Sequence, residues 1–380
     1  MEPNMLGAYG PWAASLVPDG PARLSFRNPD RHDIETWRRE ARASLLGRIA
    51  QPDAGGIPRA ELEHAFEHDG VSVEHLHWQL PYGPRTEAFF LKPAKAKGRL
   101  PGVLALHDHG GNKYFGTRKI VEVGGDPHPL MKDHQRLYYG GVAWANALAK
   151  RGYAVLVHDA FLFGSRRVRM GDLPAVLKRD WKGEPPGSDA AIKAYNTFAS
   201  GHENVVAKSL FCAGTTWPGV FTAEDQRALD YLAARPDVDP DRLGCAGLSG
   251  GGLRTVFLAG LDDRIKCACC VGMMTTWKDY LLHKSHTHTW MVYVPGLARD
   301  LDYPEILGLR APLPTLVLND SEDTLFSPGA MKDADRILGE VYAKAGAADR
   351  YRCSFYPGPH KFDLPMQAEA FAWFDRWLAV

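Results

Sequence analysis

The sequence predicts an α/β fold: a mostly parallel central sheet flanked by helices. Three observations point there. From Pro101 onward, short apolar strands alternate with helical segments, a pattern that needs parallel pairing through crossover connections. The run Leu243-Gly244-Cys245-Ala246-Gly247-Leu248-Ser249-Gly250-Gly251-Gly252 reads as strand, sharp turn, helix. A chain of 380 residues is long enough to bury a large core as one such domain or two smaller ones.

The elements follow in chain order. Residues 1–70 are rich in Pro, Gly and charge, with one helical stretch from Asp33 to Ile49 that places Ile34, Trp37, Leu45, Leu46 and Ile49 as its apolar positions. This segment is expected to be an N-terminal extension packed on a main domain of residues 71–380. Val71 to Leu80 alternates as a half-buried strand does, Pro81-Tyr82-Gly83-Pro84 is a turn, and Thr86 to Leu91 returns as a hairpin partner. Strands are then expected at Val103–His107, Ala154–Asp159, Leu243–Gly247, Ile265–Met273, Thr315–Asn319 and Arg352–Tyr356. Helices are expected at Val142–Lys150, at Thr222–Ala234 with Thr222 as N-cap, at Ser327–Ala345, and at Met366–Leu378. Two segments, 165–220 and 275–312, are longer than ordinary connections, and long loops beside strand ends are often lids or substrate walls.

Composition narrows the function. Lys plus Arg and Asp plus Glu number 45 each, so net charge is zero and gives no attraction to nucleic acid or an anionic membrane. No uncharged apolar run is long enough to span a bilayer. Met1-Glu2-Pro3-Asn4-Met5 lacks a basic segment leading into an apolar core, so a cytoplasmic protein is expected. The six cysteines (Cys212, Cys245, Cys267, Cys269, Cys270 and Cys353) show no C-x-x-C spacing and read as free thiols. Strand alternation would put Cys267 and Cys269 on one face and Cys270 on the other.

The chemistry centres on Gly247-Leu248-Ser249-Gly250-Gly251. A serine hydroxyl is a poor nucleophile unless it is exposed and held close to a base. A strand-to-helix turn lifts its oxygen above the sheet, and the flanking positions need glycine because larger side chains collide there. The base and its orienting carboxylate are expected after late strands. His360 directly follows the last strand. Asp320, Glu322 and Asp323 compete for the acid slot, and Asp323 is favoured because Leu325, Phe326 and Pro328 then open the next helix. An oxyanion hole needs two fixed N–H donors. One is Gly250, directly after the serine. The other is expected from His107-Asp108-His109-Gly110-Gly111-Asn112, with Asp108, His109 and Gly110 as candidates. Metal ligation by His107 and His109 is the rival reading, but no third ligand is evident. Trp217, Trp277, His286 and Trp290 are the candidate substrate-binding residues. His283, His286 and His288 have spacing that could hold zinc, but the motif has low specificity and a lid segment with solvated or hydrogen-bonded histidines is the favoured reading.

Together, His107–Gly111, Gly247–Gly251, Asp323 and His360 resemble the α/β-hydrolase fold of the dienelactone hydrolase and acetyl xylan esterase-like group. The segment Phe221 to Gly252 is similar too, and the likeness covers roughly residues 70–380. The resemblance implies a serine carboxylesterase with a covalent acyl-enzyme, no cofactor and no metal, acting on a small-molecule ester. Ser249 stands where dienelactone hydrolases proper carry cysteine, and Gly250 follows it where glucuronoyl esterases carry arginine. A peptidase of the prolyl-oligopeptidase type uses the same machinery but usually adds a large N-terminal domain, which seventy residues cannot form. A non-catalytic binding protein of this fold usually loses a triad member, and none is missing here.

Overall fold

The central strands follow the apolar runs of the sequence. The computed structural model describes residues 3–125, 127–178 and 187–379. They contain a nine-stranded sheet in the order β1-β2-β3-β5-β4-β6-β7-β8-β9. The strands are β1 (Glu61–His68), β2 (Val71–Trp78), β3 (Thr86–Pro93), β4 (Leu100–Leu106), β5 (Ala154–His158), β6 (Val238–Leu248), β7 (Ile265–Val271), β8 (Thr315–Asp320) and β9 (Tyr351–Tyr356). β1, β2, β3 and β5 pair antiparallel, and all pairings from β5 through β9 are parallel.

The long helices are α1 (Ile34–Ile49), α2 (Pro129–Tyr139), α3 (Trp144–Lys150), α4 (Asp189–Cys212), α5 (Trp217–Ala234), α6 (Gly250–Leu261), α7 (Pro328–Lys344) and α8 (Leu364–Leu378). They cover both sheet faces. One core joins Trp37 and Leu45 of α1, Leu229 of α5, Val256 of α6 and Leu338 of α7. The other joins Tyr139 of α2, Leu148 of α3, and Phe371 and Phe374 of α8. Alternation sorts the cysteines as expected: Cys270 faces the first core with Cys245, and Cys267 and Cys269 face the second. All six are free thiols. No helix among the described residues is long and apolar enough to cross a membrane.

Four expectations change. Residues 61–68 were read as part of the extension but form β1, the sheet's edge strand, so the boundary at residue 70 falls inside a hairpin. α5 begins at Trp217 rather than Thr222. Thr216 is its N-cap, accepting from the Gly219 amide, and Pro218 occupies its first turn, where a missing N–H costs nothing. Thr222 is instead buried inside the helix. Asp239-Pro240-Asp241-Arg242 reads as a turn in the sequence but forms a slip of register within β6, where Pro101 pairs with Asp239 and Gly102 with Leu243. Finally, the 165–220 segment contains the 24-residue helix α4. Residues 179–186 of that segment lie outside the described residues, as do Met1 and Glu2.

The segment before β1 is fastened at several points. The Thr216 hydroxyl donates to the Ile49 carbonyl at 2.8 Å, and Arg42 pairs with Asp263 at 2.6 Å. Arg23 and Arg48 both reach the buried Asp300.

Candidate active site

Ser249 joins the end of β6 to α6 with φ 57° and ψ −117°, a left-handed backbone that a non-glycine residue holds at a cost of about 1–3 kcal/mol. The neighbours explain how the turn closes. A β-carbon on Gly247 would lie 2.5 Å from the Leu106 carbonyl oxygen, and one on Gly251 would lie 2.1 Å from it. Only glycines let the turn pack this tightly on β4. The Ser249 amide donates to Val271 at 2.9 Å, which ties the turn to β7, and the Ser249 carbonyl accepts the Leu253 amide at 2.8 Å, which starts α6.

His360 follows β9, and Asp323 follows β8. Their Nδ1 and Oδ2 atoms are 2.6 Å apart. The Leu325 amide donates to Asp323 Oδ1 at 2.9 Å, so both carboxylate oxygens are engaged. With Nδ1 donating to Asp323, the buried His360 Nε2 is left with its lone pair, and it makes no hydrogen bond among the described residues. Gly272, at φ +56°, makes room for this ring: a β-carbon there would sit 2.8 Å from His360 Cε1. Asp320 accepts the Lys361 amide at 3.0 Å, and burial pushes its carboxyl up to about 7. Glu322 accepts the Gly358 amide at 3.2 Å.

The loop after β4 closes over the serine turn. A β-carbon on Gly250 would stand 2.9 Å from the His109 backbone nitrogen, so the two backbones meet face to face. Four side chains from outside the loop hold it: Lys119, Tyr139, His134 and Glu203. Lys119, fully buried and pushed down to about 8 by that burial, donates to the carbonyls of Asp108 at 2.7 Å and His109 at 2.9 Å. Asp108 Oδ1 accepts from Tyr139 at 2.5 Å and from His134 at 3.1 Å. Burial alone would raise this carboxyl, but His134 and Lys119 hold it well below the usual carboxylate range. Glu203, from α4, takes a bond from His109 Nε2 at 2.7 Å and an ion pair from Lys113 at 2.8 Å. Burial works against its charge as well, yet these two partners keep it at about 2.

The histidines of this loop have settled tautomers. His109 Nδ1 accepts the Gly111 amide at 3.0 Å, so Nε2 carries the proton toward Glu203. His107 Nε2 accepts the Ala160 amide at 3.2 Å, so Nδ1 donates to the Asp108 carbonyl at 3.0 Å. With both ring nitrogens engaged, neither has a lone pair left for a metal.

Ser249, His360, Asp108, His109 and Gly110 all border one cavity of about 190 Å³. Tyr138, Thr287, His288, Thr289 and Leu325 complete much of its wall. His288 Nε2 donates to the Leu325 carbonyl at 2.9 Å, and burial lowers this imidazole to about 4, so it is neutral at ordinary pH. The second long segment therefore reaches the site through Thr287–Thr289.

The four expected substrate-binding residues are placed differently. Trp217 and Trp277 are buried in the core and do not border the cavity. Trp277 Nε1 donates to Leu301 at 3.1 Å, and its ring meets Tyr303 edge-on; Trp217 packs edge-on against Phe161. His286 and Trp290 flank the wall residues but are themselves exposed. Of the histidine trio, only His288 faces the site, and His283 is exposed. Sequence reasoning missed Lys119, Glu203, Tyr138 and Gly272. Nothing local in the sequence marks any of the four: Glu203 itself sits in the polar run Ser200-Gly201-His202-Glu203-Asn204.

Comparison with known proteins bears on the family and the fold. The prolyl oligopeptidase family model matches residues 213–306, the stretch that holds the serine turn. The Bacillus subtilis (strain 168) protein YtaP, named as a hydrolase, is 30% identical over 344 residues, covering 90% of this chain and 99% of YtaP. A Bacteroides fragilis NCTC 9343 structure described as an acetyl xylan esterase superposes with a TM-score of 0.68 at 17% identity, covering 93% of this chain and 83% of that one. A glucuronoyl esterase from Solibacter usitatus gives a TM-score of 0.62 at 16% identity, covering 95% and 99%. At those identities the two structures speak to the fold, while the YtaP match extends along nearly the whole of both chains. The chain belongs to the same family as the Bacillus subtilis hydrolase YtaP and has an α/β-hydrolase fold.

Proposed function

We propose that this protein is a serine carboxylesterase that hydrolyses small acyl esters, acetylated carbohydrates among them. Ser249 Oγ attacks the ester carbonyl as His360 Nε2 takes its proton. Asp323 holds the imidazole in the tautomer that leaves Nε2 free and stabilises the imidazolium that forms. The amides of Gly250 and His109 hold the oxyanion. The alcohol leaves with the proton from His360, and an acyl ester remains on Ser249. Water then attacks the acyl carbon, gives its proton to His360, and releases the acid and the free serine.

The observation that carries this reading is convergence. The His360–Asp323 pair, the serine turn and the facing His109 and Gly250 backbones all border one small cavity. A space of about 190 Å³ walled by Tyr138, His288 and Leu325 suits a short acyl group. The six free thiols fit a reducing compartment, which favours the cytoplasm as its place of work.

The test is a p-nitrophenyl series of acetate, butyrate and octanoate. Acetate should be turned over with a kcat/KM about tenfold or more above octanoate. Equal turnover of all three would remove the short-acyl assignment. A second reading, a peptidase, draws on the prolyl oligopeptidase match over residues 213–306. Prolyl p-nitroanilide cleavage exceeding acetate hydrolysis would favour it over the esterase.

A further inference from the structure

The edge hairpin carries a second cluster of chemistry, away from Ser249. The β1–β2 ladder pairs Glu61 with His77 and Leu62 with Leu76, then jumps to His64 opposite His75. Glu63 is the extra residue of this bulge, and bulges re-aim side chains. His75 and His77 are two residues apart on β2, so they share a face. The bulge turns the Glu63 carboxylate onto both. Its Oε2 lies 3.4 Å from His75 Nδ1 and contacts His77 Nε2 directly. One ligand atom from each of the three residues falls within 4.8 Å of the other two.

We infer that Glu63, His75 and His77 form a binding site for a divalent transition-metal ion of the zinc class. Zinc takes histidine nitrogen and carboxylate oxygen at about 2.0–2.2 Å, so tetrahedral neighbours stand about 3.3–3.6 Å apart. The His75–Glu63 separation is of that size.

Two features hold His75 as a ligand. Its ring stacks on Phe89 with centroids 4.6 Å apart and planes 9° apart. Its other nitrogen, Nε2, is buried and faces Glu87 Oε2 at 3.6 Å. A carboxylate behind a ligating histidine fixes the tautomer and strengthens the donor. Glu63 and His77 border a cavity of about 550 Å³ whose other walls are Glu61, Leu62, Ser165 and the arginines Arg85, Arg167 and Arg169, with Arg85 paired to Glu61.

β2 lies four strand spacings from β6, roughly 19 Å at the usual separation, so the ion does not touch the reacting atoms. Its effect is to fasten β1 to β2. An edge strand exposes unpaired backbone, and a metal clip at its bulge would fix its register.

The experiment uses the full chain, stripped with chelator and titrated with zinc chloride by calorimetry. One zinc should bind per chain, with affinity weakened about tenfold or more in His77→Ala and in Glu63→Gln. His360→Ala serves as a control, because Asp320, Asp323 and His360 form the other metal-capable group among the described residues. It should keep the site. Zinc should also raise the melting temperature of the wild type and not of His75→Ala/His77→Ala. Binding that is absent, equal in wild type and the double variant, or lost only in His360→Ala would overturn the inference, leaving Glu63 as an ion-pair partner of the two histidines.

Discussion

His360 Nδ1 lies 2.6 Å from Asp323 Oδ2, while Asp320, three residues earlier, spends its Oδ2 on the Lys361 amide at 3.0 Å. The two carboxylates are neighbours, but only one orients the imidazole. Asp323→Asn should lower kcat by about 10³–10⁴-fold, because the amide favours the wrong tautomer. Asp320→Asn should keep most of the activity. Steady-state kinetics on p-nitrophenyl acetate separates them, and equal losses would reassign the acid.

Asp320 also predicts a pH dependence of stability. Burial raises its carboxyl to about 7 in the folded chain, against an ordinary value of 3.8. Between those values the folded chain holds a proton that the unfolded chain has released. This group's contribution is therefore fully present below about pH 4 and lost as pH rises through about 7. Asp320→Asn cannot ionise, so its melting temperature should gain on the wild type from pH 4 to pH 8. Thermal melts at the two pH values check this; an unchanged difference would contradict it.

Lys119 predicts a loss of rate without a loss of binding. Its ammonium grips the carbonyls of Asp108 and His109, which fixes the direction of the following amides. In Lys119→Met the loop loses that grip. kcat should fall about tenfold or more while KM stays within about twofold, since an oxyanion donor matters mainly in the transition state. A change confined to KM would refute the positioning role.

Gly250→Ala probes the same wall from the other side. The added methyl would stand 2.9 Å from the His109 nitrogen, where the oxyanion is expected. Activity should drop about 10²–10³-fold, the usual effect of losing one donor. The fold should persist, because Gly250 has an ordinary helical backbone at the start of α6. Circular dichroism and acetate turnover together test this.

Sequence logic reached the residues whose roles depend on local pattern. Ser249 and Asp323 follow strands with strong apolar runs, and His360 follows the half-exposed last strand, so the strand ends that carry them could be read from the sequence. The wall of the site could not. Trp217 and Trp277 looked like pocket residues because tryptophan suits both a pocket and a core, and only tertiary packing distinguishes the two. Lys119 and Glu203 act across distances of 10 and 94 residues from His109, so no local spacing marks them. β1 escaped notice because its outward residues are charged: an exposed edge strand lacks the apolar alternation by which strands are recognised.

The central claim is that Ser249 is the nucleophile. Intact-mass analysis after treatment with a fluorophosphonate, run beside acetate hydrolysis, tests it most directly. The wild type should gain one adduct, mapped to Ser249. Ser249→Ala should gain none and lose about 10³-fold or more in turnover. A Ser249→Ala protein that hydrolyses p-nitrophenyl acetate at the wild-type rate would contradict the account.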